Sequence, residues 1–152
     1  SESVDLASEV RELFEFYDAL AEDRGVELKL TGEGVVAGER LMIRRAVSNL
    51  LSNAINHTPR GGAIVVQVEP AGKGEIKLSV DNPGDGIAPE HLSRVFDRFY
   101  RVDSSRQRST EGAGLGLAIT KSIMAAHRGS VHVQSTGGRT RFEIQFPPPA
   151  AA

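Results

Sequence analysis

The chain contains no cysteine, which removes disulfide frameworks, thiolate metal sites and cysteine nucleophiles and fits a reducing compartment. Its four histidines, His57, His91, His127 and His132, are too scattered to suggest a metal cluster, and each reads most simply as structural or exposed. No stretch approaches the roughly 18 consecutive apolar residues of a membrane span, and the acidic start at Ser1, Glu2 and Asp5 is unlike a signal peptide. An excess of one charge is also lacking. Lys and Arg total 18 against 20 Asp and Glu, a net charge of −2, which argues against a nucleic-acid partner held by a basic surface. What the chain has in excess is glycine, 16 of 152 residues, against an average of about 7%. Otherwise 39% hydrophobic and 25% charged residues describe a globular protein, and the length fits one domain of roughly 100–200 residues.

Apolar residues at Leu6, Val10, Leu13, Phe14, Tyr17 and Leu20 predict an amphipathic helix from Val4 to Glu22, with Gly25 as its stop. Val26–Leu30 alternates with period two, and the Thr31–Gly34 turn leads to a short strand at Val35–Val36. A second helix from Glu39 to His57 has Ile43, Val47, Leu50, Leu51 and Ala54 on one stripe. Ala63–Glu69 and Glu75–Asp81 form a hairpin around Gly72–Gly74, and Pro89–Val95 suits a short helix. The polar, Arg-rich stretch from Phe96 to Ala113 is either a functional lid or a disordered segment. Leu115–His127 is helical, and Ser130–Ser135 with Thr140–Phe146 form a second hairpin around Gly137–Gly138. Strands that so often follow strands predict an α+β fold, a two-layer α/β sandwich with a mixed sheet and its helices on one face. One domain covers 1–147, and 148–152 is a tail.

Three segments point to chemistry. Arg45, Asn49 and Asn53 share a helix face at i, i+4, i+8, with Asn56 and His57 one turn on. An amide oxygen there is a hard neutral ligand suited to Mg²⁺ already held by phosphates, although a solvated polar face would look the same. Gly84-Asp85-Gly86 follows a strand ending in Asp81-Asn82, where glycines let backbone approach a flat ligand and a polar group at the strand end reads a hydrogen-bonding edge. A plain turn is the alternative. Gly112, Gly114 and Gly116 open a helix, where free N–H groups and the helix dipole favour phosphate. The Walker A ending is missing, and no strand directly precedes the loop as the Rossmann fingerprint requires. Arg98, Arg101, Arg106 and Arg108 lie just before it and could reach phosphate oxygens. Phe96, Phe99 and Tyr100 would pin the base of the lid to the core.

The order of these segments resembles the nucleotide-binding catalytic domain of sensor histidine kinases. Asn49–Pro59 resembles the N box, Asp81–Ile87 the first G box, Val95–Tyr100 the F box, Gly112–Leu117 the second G box and Thr136–Phe142 the final glycine turn. Asn82-Pro83-Gly84, Phe96–Asp103 and Ser105–Arg108 are similar to the heavy-metal (copper, silver, zinc or cobalt) sensor kinases. The resemblance implies ATP and Mg²⁺ as cofactors, with Asn53 on the metal and Asn49 in support. It implies nucleotide contacts from Asn56, His57, Asp81 or Asn82, Gly84, Gly86, Ile87, Phe99, Tyr100, Arg101, Arg106, Gly112, Gly114, Leu115, Gly116, Leu117 and Thr140. Two positions depart from the pattern. Asn82 stands where many relatives carry the adenine-reading carboxylate, with Asp81 as a second candidate. Asn56 stands where relatives often carry Lys or Arg, so Arg101 or Arg106 would supply that charge.

Same-fold ATPases place a Glu, the general base for water, four residues before the Mg²⁺ Asn; here that residue is Asn49. Transfer of the γ-phosphoryl group to an external imidazole is therefore expected over hydrolysis. No histidine of the chain stands in the phosphoacceptor context of these kinases, so the resemblance implies a catalytic domain excised from a longer protein. Its partners would be the dimerisation and phosphoacceptor domain of the same kinase and, indirectly, a response regulator receiver domain. The parent would be a membrane-bound homodimer with this domain on the cytoplasmic side, soluble when isolated. A same-fold ATPase and a degenerate nucleotide-binding or docking domain are the rival readings.

Overall fold

The computed structural model describes residues 1–100 and 115–149. Strand β1 (Glu2–Asp5) runs into helix α1 (Leu6–Arg24), followed by β2 (Glu27–Gly32), β3 (Val35–Gly38) and helix α2 (Arg40–His57). Next come the hairpin β4 (Ala63–Pro70) and β5 (Ile76–Pro83), the short helix α3 (Pro89–Leu92), helix α4 (Gly116–Ala126), and the hairpin β6 (Ser130–Thr136) and β7 (Arg139–Phe146). The main sheet has the order β2-β4-β5-β7-β6; β2 and β4 are parallel and the other pairs antiparallel. This is the expected mixed sheet.

Alternation along the strands sends Leu78, Val80, Phe142, Ile144 and Phe146 to one face. There they meet Leu6, Val10 and Leu13 of α1, Ile43, Val47, Leu50 and Leu51 of α2, and Met124 of α4. The opposite face is polar: Lys77 pairs with Glu69 and Glu143, and Arg141 pairs with Glu143 and Asp81. A one-residue slip would exchange these faces, so the register is strongly specified.

The first helix begins later than its periodicity suggests. Val4 lies in β1, paired with Val36 of β3, and Asp5 ends the strand by capping α1, its carboxylate accepting from the Ser8 amide at 3.2 Å. Gly25 closes α1 in the left-handed conformation at φ 70°, where a Cβ is costly. The Pro89–Val95 helix is only one turn long, and Val95 is buried in the turns beyond it. Helix α2 has no side-chain cap of its own; the Glu39 amide donates instead to Nε2 of His127, whose Nδ1 faces the Ile123 carbonyl. Helices α1 and α2 are joined by the buried Glu9, which pairs with Arg40 and Arg44, while Arg44 also donates to Glu12 at 2.5 Å. That last bond holds the Arg44 guanidinium above its ordinary pKa.

Candidate functional site

Helix α2 carries Asn49, Asn53, Asn56 and His57; Asn49 meets α4, and the His57 backbone carbonyl lies beside Gly84 in the loop after β5. Asn49 Nδ2 donates to the Gly116 carbonyl at 3.0 Å, in the first turn of α4. One turn further along α4, Thr120 Oγ1 donates to the Ala46 carbonyl at 3.2 Å in a buried bond. These two bonds lock the asparagine helix beside the helix that the glycine-rich segment opens. Asn53 is half-buried, and its backbone carbonyl oxygen faces Nδ1 of the exposed His57 at 2.8 Å. Leu115, Gly116 and Leu117 are half-buried at the start of α4. Arg101, Arg106, Gly112 and Gly114 lie outside the described residues.

Strand β5 separates the two candidates at its end. Asp81 lies on the polar face, bonded to Arg139 and, at 3.4 Å, to Arg141, and its side chain is 17% exposed. Asn82 lies on the helix face, 4% exposed, its Nδ2 donating to the Pro83 carbonyl at 2.9 Å. That bond leaves the amide oxygen as the acceptor. Its register partner on β7 is Thr140, also buried.

The loop that follows is held in place from both sides. The Gly84 amide donates to the Gly138 carbonyl at 2.9 Å, and a Cβ on Gly84 would stand 3.0 Å from the His57 carbonyl at the end of α2. The Ile87 amide donates to Ser135 Oγ at 2.7 Å, and Ser135 Oγ lies 3.1 Å from Thr140 Oγ1. A cavity of about 420 Å³ opens between this loop, α3 and the β6–β7 turn; Gly86, Ile87, His91 and Ser135 are among its lining residues. Residues from α2, β5, the glycine loop and β7 thus converge at one end of the sandwich. Ser135 went unnoticed in the sequence, because a serine in a strand carries no pattern of its own.

The aromatic segment is only partly as expected. Phe96 packs edge-on against Phe142 with ring centroids 5.8 Å apart. Phe99 does not pin the segment to the core: it is 62% exposed, turned outward at φ 65°, with the Arg98 guanidinium 5.4 Å from its ring. Tyr100 contacts His91 through its hydroxyl and lies under the Arg94 guanidinium at 4.6 Å.

Residues 38–150 match the family described as histidine kinase-, DNA gyrase B- and HSP90-like ATPase. The chain belongs to this family. It is an ATP-binding catalytic domain of the sensor histidine kinase type. Among curated relatives, the sensor histidine kinase CusS of Escherichia coli strain K12 is 57% identical over 145 residues, 95% of this chain and 30% of that protein. The chain therefore spans about a third of the length of such relatives. Among solved structures, the mycobacterial sensor histidine kinase MprB is 30% identical with a TM-score of 0.85, covering 99% of this chain and all of that one. Full-length ShkA in complex with AMPPNP is 28% identical with a TM-score of 0.83, covering 99% of this chain and 32% of that one.

The residues fit what the family binds. Among the described residues no group of three or more His, Cys, Asp or Glu could hold a metal ion alone. A neutral amide oxygen such as that of Asn53 is a donor of the kind Mg²⁺ takes, the ion being commonly shared between a few protein oxygens, substrate phosphates and water. No described helix is long and apolar enough to cross a membrane.

Proposed function

We propose that this domain binds ATP with Mg²⁺ and transfers the γ-phosphoryl group to a histidine on a dimerisation domain of the same kinase, in heavy-metal response signalling. In this reading Asn53 would hold Mg²⁺ through its amide oxygen, and the ion would supply charge neutralisation for the triphosphate. Asn82 reads the adenine edge: its amide oxygen accepts from the 6-amino group because its Nδ2 is committed to Pro83. Asp81 is left to its arginine partners. Thr140, Gly84, Gly86, Ile87 and His57 surround the base, while Leu115, Gly116 and Leu117 with Gly112 and Gly114 offer backbone N–H groups to the phosphates. Asn56, Phe99, Tyr100, Arg101 and Arg106 complete the nucleotide contacts. That the related ShkA was solved in complex with AMPPNP, an adenine nucleotide analogue, supports an adenine nucleotide as the ligand.

The observation that carries transfer over hydrolysis is the state of Asn49. A water-activating base would occupy this position, but an amide cannot take up the proton, and here its nitrogen already donates to Gly116. What remains is positioning and charge neutralisation, which phosphoryl transfer to a good nucleophile requires and which needs no protein base on this domain. The parent in this reading is a membrane-bound homodimer with the domain on the cytoplasmic side, and a response regulator receives the phosphoryl group next.

The test mixes this chain with γ-labelled ATP, Mg²⁺ and a separately produced phosphoacceptor domain. Acid-labile, base-stable label on the acceptor histidine is expected. Phosphate release into water at an ordinary enzymatic rate, with no labelled acceptor, would assign the chain to the ATPases.

A further inference from the structure

Ser135 lies in β6 directly opposite Thr140 of β7, and Thr140 lies opposite Asn82 of β5. The three side chains form a row across neighbouring strands on the helix side of the sheet. At one end Ser135 Oγ accepts the Ile87 N–H at 2.7 Å, and it lies 3.1 Å from Thr140 Oγ1. At the other end Asn82 is fixed by its bond to Pro83. The fit at Ser135 is tight: Gly86 has φ 83°, and a Cβ there would stand 2.6 Å from Ser135 Oγ, so the loop approaches the hydroxyl only because Gly86 has no side chain.

We propose that Ser135 is a positioning residue for base recognition. Its hydroxyl clips the Gly84–Ile87 loop to β6 and, through Thr140, orients the polar row that ends in the Asn82 amide. The inference rests on the adenine-nucleotide reading above and adds a residue that reading does not contain. Ser135 acts through Ile87 and Thr140, so its loss removes the alignment of the base edge and leaves the phosphate end of the site untouched. The adenine preference, rather than nucleotide binding in general, therefore depends on it.

The test uses this chain with Ser135→Ala and Ser135→Thr, with a thermal unfolding scan of each to establish that it folds. Amide exchange at Ile87, measured without nucleotide, reads the clip itself; competition titration with a non-hydrolysable ATP analogue and its GTP counterpart reads base selectivity. Ser135→Ala is expected to speed Ile87 exchange about tenfold and to weaken the ATP analogue about five- to tenfold, the worth of one hydrogen bond. The GTP analogue should change little, so the selectivity ratio narrows, and Ser135→Thr should restore both readouts. Unchanged Ile87 exchange, unchanged ATP-analogue affinity or equal weakening of both analogues in a folded Ser135→Ala would overturn the role. If Ser135→Ala does not fold, Ser135→Thr decides: wild-type exchange and selectivity support the hydroxyl's role, and loss of either overturns it. Failure of the unmodified chain to bind the ATP analogue would overturn the nucleotide reading and the base-recognition role with it, while Ile87 exchange would still report whether the clip exists.

Discussion

At the scale of single residues, the end of β5 shows how one position along a strand changes chemistry. Asp81 and Asn82 are adjacent, yet pleating sends the carboxylate to two arginines and the amide to the helix side. Asn82→Ala should weaken ATP binding about tenfold and erase the preference over GTP, with little change at Asp81→Ala; competition titration of the two variants checks this. Asn53→Ala is expected to abolish Mg²⁺-dependent nucleotide binding while leaving the thermal midpoint within a few degrees, because Asn53 is only half-buried and is not among the residues of the hydrophobic core. Normal phosphotransfer by that variant would remove Asn53 from the site. The sequence alone could not choose between Asp81 and Asn82, because alternation identifies two faces but the identity of the covered face comes from the packed sheet. Phe99 misled for a related reason: its aromatic neighbours suggest burial, and only the folded chain, with Phe99 62% exposed, shows that the ring points away from the core.

At the scale of elements, the long periodic segments were legible and their ends were not. The stripe of α2 was clear because it buries one face, and the β4–β5 and β6–β7 hairpins were clear from their glycine turns, whereas β1 is four residues long and becomes a strand only by pairing with β3. Local signal is too weak there, and a distant partner decides. The same dependence on distant contacts predicts where elements break. Gly32 ends β2 at φ 82°, and a Cβ there would stand 1.9 Å from the Val68 carbonyl oxygen on the paired strand. Gly32→Ala should therefore cost about 3 kcal/mol or more, read as a lowered denaturation midpoint. A cost below about 1 kcal/mol would mean that the β2–β4 pairing tolerates a shift the geometry forbids. Between helices, Glu9 is buried against Arg40 and Arg44. Both arginines keep some access to water, so Glu9→Gln should destabilise the chain modestly, by about 1–2 kcal/mol, in chemical denaturation.

At the scale of the whole molecule, the two-layer fold brings groups distant in sequence to one end: Asn49 of α2 to Gly116 of α4, Asn82 of β5 to Thr140 of β7, and the Gly84–Ile87 loop to the β6–β7 turn. The motifs were readable in order, but the bonds that join them were not, since Ser135 and Thr120 carry no pattern until the chain folds. In the proposed reading this end offers polar groups to a base edge and N–H groups to phosphates, and an amide, Asn49, stands at the position a hydrolytic base would hold. The most direct test of that account is calorimetric titration of this chain with ATP, with and without Mg²⁺, repeated with GTP. Adenine-selective binding that strengthens with Mg²⁺ is predicted; equal affinity for the two nucleotides, or no binding of either, would contradict it.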